Sequence, residues 1–175
     1  MKTNLRKIKL FALAMLAVTV FVSCSKDDDD PSTETKNIVQ TASGDSQFSI
    51  LTDALGKANL ISALEGTGPF TVFAPTNDAF NALFTQLGVT GLDDLSAETL
   101  TPILLNHVIS GSVKSTDITT SYAPTLNTSA PGQNAVKVFI EKSGDVKVDG
   151  SKVIIADVMA SNGVIHAIDE VIVPD

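Results

Sequence analysis

Hydrophobic positions change period along this chain, from helical spacing in the first half to strict alternation in the second. Asn37, Ile38 and Val39 open a short helix or strand. Ser46 is placed to cap a helix in which Phe48, Leu51, Leu55 and Ala58 recur at intervals of three and four, with Ile50 and Ala54 widening the stripe. A second helical piece, Leu60 to Leu64, ends in Glu65-Gly66-Thr67-Gly68-Pro69, whose glycines and proline break the helix. The organising stretch follows. Phe70 and Val72 alternate with Thr71 and Phe73 as in a strand, Pro75 stops further ladder pairing, and Thr76 stands as a helix N-cap. Asp78 falls in the first helical turn, where exposed N–H groups favour a carboxylate. Ala79, Phe80, Leu83, Phe84 and Leu87 then form one apolar face of a helix from Asn77 to about Leu87.

Gly88 and Gly91 interrupt the chain, and Ser96 with Glu98 restarts it as a helix. Leu100, Ile103, Leu104 and His107 share a face if that helix runs unbroken. Pro102 either kinks it or begins a fresh helix capped by Thr101. His107-Val108-Ile109 leads into a short strand. From Val113 onward the pattern is extended: Val136, Val138 and Ile140 alternate with Lys137, Phe139 and Glu141, and Lys142-Ser143-Gly144-Asp145 turns the chain into Val146 and Val148. Val153-Ile154-Ile155 is a continuous apolar run of the kind found in buried strands. Ser161-Asn162-Gly163 turns into Val164 to Asp169, and Val171-Ile172-Val173-Pro174 closes the chain. Helices first and strands later specify an α+β domain, with a mostly antiparallel β-sandwich or curled sheet covered on one side by helices.

The N-terminus follows a different logic. Residues 1–9 are basic, and Leu10 to Val22 form an apolar run ending at Ser23-Cys24. A run this short, basic before and small after, reads as a secretory signal and not as a membrane-spanning helix. Phe21-Val22-Ser23-Cys24 resembles a bacterial lipobox, with Phe21 where leucine is usual. Its cysteine would receive a diacylglyceryl group, and cleavage would remove residues 1–23. The alternative is an ordinary signal followed by a free thiol. Two or more acyl chains would hold the protein stably at a bilayer. Ser25-Lys26-Asp27-Asp28-Asp29-Asp30-Pro31 must stay solvated, so residues 24–36 read as a lipidated cysteine and acidic tether. A lysine and acidic run at this place also resembles the surface-export tag of some Gram-negative lipoproteins. Adjacent aspartates in an extended segment cannot converge on calcium, so tether and tag are preferred to a metal site.

Composition narrows function further. The chain has 175 residues and a formal charge of −8; with four of its 12 basic residues in the signal, the mature chain carries 8 basic against 20 acidic side chains, a net of −12. Such a surface repels phosphate backbones and argues against nucleic acid. With no tryptophan and one tyrosine, a sugar platform of stacked aromatic rings has little support.

Three stretches together resemble the fasciclin (FAS1) domain over nearly all of residues 37–175. Thr71-Val72-Phe73-Ala74-Pro75-Thr76-Asn77-Asp78-Ala79-Phe80 matches its first signature segment. Ile103-Leu104-Leu105-Asn106-His107-Val108 matches its tyrosine-histidine segment, with Asn106 where tyrosine is frequent. Asn162 to Asp169 and Val171-Ile172-Val173-Pro174 match its second signature. The resemblance implies a β-sandwich wedge with a helical layer, found in secreted and surface-anchored proteins that mediate adhesion to cells or matrix. In animal members a short aspartate-containing segment before the second signature contacts integrins. Asp157-Val158-Met159 stands at that place, with Ile155-Ala156 replacing its preceding Glu-Pro, as a candidate adhesion contact. The bland reading of Asp157 is a strand-end or turn aspartate.

Only His107 and His166 offer imidazoles, and the one thiol, Cys24, is assigned to lipid. On a strand from Val164, His166 shares a face with Val164 and Ile168 while Asp169 points away, which disfavours a local His-Asp relay. Thr76, Asn77, Asp78, His107 and His166 are therefore expected to be structural polar anchors, the histidines bonded to backbone or to side chains of that triplet. No paired spacing supports zinc, no glycine-rich phosphate loop or Gly-x-Ser-x-Gly elbow appears, and neither catalytic residues nor a cofactor are expected. The function expected is binding: adhesion to matrix, polysaccharide or an envelope protein from a lipid anchor on Cys24, probed from the outer membrane surface. Its alternatives are an accessory lipoprotein of glycan uptake and, with no supporting constellation, an enzyme.

Overall fold

The structure, a computed structural model, describes residues 35–129 and 135–174; the segment read as a signal, Cys24 and the tether read from sequence up to residue 34 lie outside the described residues. The first helix, α1 (Ile38–Ser43), is opened by Asn37, whose side chain accepts from the Gln40 amide at 2.8 Å while the Gln40 side chain accepts from the Asn37 amide at 3.0 Å. That reciprocal box satisfies two N–H groups the helix cannot bond itself. A 3-10 turn, Ser46–Phe48, leads into α2 (Ser49–Lys57). Ser46 is not the cap: Asp45 accepts from the Gln47 amide at 2.9 Å, because the 3-10 turn begins at Ser46, ahead of the α-helix, and needs its acceptor earlier. α3 (Ile61–Leu64) is a single turn.

β1 (Phe70–Pro75) passes through Thr76 into α4 (Asn77–Leu87), with the Thr76 hydroxyl accepting from the Ala79 amide at 3.4 Å. Ala79, Phe80, Leu83 and Phe84 are buried, but Leu87 is 48% exposed: it ends the helix, and the chain turns off at Gly88 in a left-handed conformation (φ 69°) before anything covers it. α5 (Ala97–Asn106), capped by Ser96, runs unbroken through Pro102. The proline forgoes one bond to the Glu98 carbonyl, and Glu98 is exposed, so water can take its place.

The strands β2 (Val108–Ser110), β3 (Ser121–Pro124), β4 (Lys137–Ser143), β5 (Asp145–Val148), β6 (Ser151–Ala160) and β7 (Gly163–Ile168) join β1 in one sheet of order β2-β1-β7-β6-β5-β4-β3. Every pairing is antiparallel except β1 with β7, which run parallel from Phe70↔Gly163 to Pro75↔Ile168. A bridge between Ile109 and Thr125, and a bond from the Leu126 amide to the Val108 carbonyl at 2.8 Å, tie the two ends together. The sheet is thus curled almost shut into the wedge.

Period-two alternation in β1 and β7 then divides the core. Val72, Ala74, Ile165 and Ala167 face the helices and pack with Ile38, Leu51, Leu55, Phe80, Leu100 and Leu104. Phe73 and Ile168 face into the curl with Ile109, Ile118, Val138, Ile140, Val148 and Ile172. The Val153-Ile154-Ile155 run is not buried: Ile154 is 47% and Ile155 40% exposed. β6 pairs with β5 only at Ser151 and Lys152, and its register against β7 shifts between Val153 and Ile155 and again between Ile155 and Val158. These irregularities rotate side chains outward that strict pleating would bury.

Candidate functional site

The polar signature residues do not converge on one centre; they fasten separate corners. Asn77 joins α4 to α2 and the 3-10 turn before it: its Oδ1 accepts from the Ile50 amide at 3.1 Å, and its Nδ2 donates to the Ser46 carbonyl at 2.9 Å. Thr76 caps. Asp78, grouped with them from sequence, anchors nothing among the described residues. It is exposed, without a side-chain hydrogen bond there, and its position in the first turn of α4 leaves only the dipole to favour it.

His107, at the end of α5, is buried. Its Nδ1–H donates to the Ile103 carbonyl at 2.7 Å, and its Nε2 accepts from the Ile172 amide at 2.9 Å. One neutral tautomer satisfies both bonds, so the imidazole rivets the C-terminal segment to α5. Burial pushes its pKa down from 6.5 to about 4, only partly countered by the bond to Ile103. Between these two values the unfolded chain takes up a proton that the folded chain refuses, so this group's stabilisation is full above pH 6.5 and is lost as pH falls towards 4. The loss expected is about 3 kcal/mol. Urea midpoints at pH 7 and 4.5 check it: the wild-type fall should be markedly reduced in His107→Gln, and an equal fall in both would rule out His107 as its source.

His166 faces into the curl, its ring stacked on Phe73 at 5.8 Å between centroids. Its Nε2–H donates to the Val113 carbonyl at 2.9 Å, and its Nδ1 accepts from the Asp157 amide at 3.2 Å. Both histidines therefore bond backbone groups, and neither bonds Thr76, Asn77 or Asp78. Asp157 is not at a strand end. It lies within β6 at the irregularity, with φ 61°, and its carboxylate accepts from the Ser115 amide at 2.7 Å and from the Ser115 hydroxyl. The hydroxyl first, then the amide, hold its carboxyl below the usual carboxylate range. Of the adjoining candidates, Val158 packs partly against the helical core, and Met159 is 56% exposed.

Sequence reasoning passed over two residues that hold as much together. Asn162, which the sequence places in a turn and in the second signature but not among the anchors, is buried; it accepts from the Ile38 amide at 3.0 Å and donates to the carbonyls of Leu64 (2.7 Å) and Gly66 (2.8 Å). Thr71 donates to the Gly111 carbonyl at 2.6 Å and accepts from the Val113 amide at 2.9 Å. An asparagine before glycine, or a threonine alternating into an apolar strand, was the available hint.

With both ring nitrogens of each histidine bonded to backbone, neither imidazole is free to move a substrate proton. Among the described residues no cluster of three or more His, Cys, Asp or Glu side chains could hold a metal ion. A shallow concavity of about 320 Å³ lies over Ser46, Gln47, Thr76, Asn77, Asp78 and Ile154, and a groove of about 500 Å³ lies between Tyr122, Phe139 and the C-terminal segment.

A profile of the fasciclin domain matches residues 46–174. Protein sll1483 of Synechocystis sp. is 43% identical over 137 residues, covering 78% of this chain and 73% of that protein. Transforming growth factor-beta-induced protein ig-h3 of Oryctolagus cuniculus is 34% identical over 146 residues, which is 82% of this chain but 20% of that protein. A FAS1 domain pair from the insect cell adhesion molecule fasciclin I superposes with a TM-score of 0.64 at 16% identity, over 79% of this chain and 51% of that one. The curled sheet, the helical layer and the matching signatures thus agree: the chain belongs to the fasciclin domain family.

Proposed function

We propose that this chain is a non-catalytic binding protein of the cell envelope, held by lipid on Cys24 at the outer membrane and presenting its one fasciclin domain for adhesion to matrix, polysaccharide or envelope proteins. The observation that carries the reading is the internal commitment of the polar groups. The imidazoles, Asn77, Asp157 and Asn162 spend their hydrogen bonds within the fold, so what remains for the outside is shape and surface. The likeness of fold to an insect cell adhesion molecule supports the same direction. The lipobox-like segment Phe21-Val22-Ser23-Cys24 supports attachment through the cysteine.

The test is protease treatment of intact cells. The wild-type chain should fractionate with membranes and be cleaved from outside, whereas Cys24→Ser should be released in soluble form. A wild-type chain protected from protease would exclude contact with outside partners, and a membrane-bound Cys24→Ser would exclude the lipid anchor.

A further inference from the structure

The single tyrosine of the chain is 68% exposed, the most exposed of the large hydrophobic side chains described. Tyr122 stands opposite Phe139 in the β3–β4 register, with ring centroids 5.0 Å apart and planes tilted by 49°. The two rings form one wall of the groove of about 500 Å³, and the C-terminal segment Glu170 to Val173 forms the other. Polar groups of particular kinds surround it. Asp149, at the turn before β6, is fixed by its Oδ1 accepting from the Phe139 amide at 2.6 Å, which leaves Oδ2 without a bond among the described residues. Ser151 also lines the groove, where its hydroxyl is available to a ligand. Glu170 and Lys137 complete the rim.

We infer that this groove is a binding subsite for a neutral saccharide. A pyranose lays its C–H face on an aromatic ring, whose negative face attracts those hydrogens, and directs its hydroxyls sideways to carboxylates and small hydroxyls. Tyr122 over Phe139 supplies the platform; Asp149 Oδ2, Glu170 and the Ser151 hydroxyl supply the partners. One lysine against two carboxylates leaves the rim net negative, which works against phosphate, sulfate or uronate groups. Scarcity of aromatic residues argued against an extended platform, but a single sugar unit needs only one exposed ring, and here it is backed by a second. The inference rests on the binding reading above and names a ligand class for it.

The chain reports on its own site. With no tryptophan and one tyrosine, its tyrosine fluorescence comes from Tyr122 alone. The detergent-solubilised full-length chain is titrated with cellotetraose, maltotetraose and mannotetraose, and with tetragalacturonate as the acidic counterpart, following fluorescence and, for variants without tyrosine, calorimetry. At least one neutral tetrasaccharide should bind and perturb the fluorescence. Tyr122→Ala should weaken its binding at least tenfold, Tyr122→Phe should retain it, and Ser151→Ala should weaken it severalfold. Binding by none of the neutral sugars, equal affinity in Tyr122→Ala, or preference for tetragalacturonate would overturn the inference. Surface exposure by protease treatment is scored separately; if it holds while sugar binding fails, this inference falls and the envelope-binding reading stands.

Discussion

Gly163→Ala is expected to destabilise the domain by about 3 kcal/mol, the upper end for forcing one extra methyl into a packed site. A Cβ at Gly163 would lie far inside contact distance of the Phe70 carbonyl oxygen, 2.8 Å from its carbonyl carbon and 2.9 Å from Ile38 Cδ1. Two of those three atoms are backbone. Phe70 and Gly163 are paired across the parallel β1–β7 ladder, so relief requires separating the strands on which both cores are built. Gly91 is the control: its backbone is extended (φ 172°) and nothing lies within 4 Å of a Cβ there, so Gly91→Ala should be near neutral. Urea midpoints at constant slope measure both; a cost below about 1 kcal/mol at Gly163 would mean that the β1–β7 contact is looser than described.

Phe80→Ala is expected to cost about 3 to 5 kcal/mol, the range for truncating a fully enclosed phenylalanine. Phe80 is 0% exposed, packs against Phe84 at 6.1 Å between centroids and sits where α4 crosses the sheet. Removing the neighbouring cap with Thr76→Ala should cost only about 1 kcal/mol. The ranking matters more than either value. If Thr76→Ala proved the more damaging, the corner would depend on the polar signature and not on the apolar face behind it.

The corner from Phe70 to Leu87 was legible in the sequence because each of its signals is local. Alternation, a proline that ends pairing, a threonine cap and an apolar stripe all act within a few residues. Ser96 as a cap was legible for the same reason. What sequence could not resolve was decided by partners distant along the chain. His107 bonds the Ile172 amide and His166 the Val113 carbonyl, and nothing near either histidine names those groups. Ile154 and Ile155 read as buried because an apolar run carries no mark of a bulge. The bulge follows from Asp157 reaching across to Ser115 while its own amide meets His166. Asp78 shows the opposite error. It lies inside a signature segment, and proximity to Thr76 and Asn77 was taken for a shared task that its exposed position does not perform.

The parallel pairing of β1 with β7 also orders events in time. The strand that opens the sheet can find its central neighbour only after the last strand has been synthesised, so the helical half waits with one flank uncovered. A polypeptide with that wiring cannot lock early. For the exported, lipid-anchored precursor proposed above, delayed closure keeps the chain pliable while it is still being made.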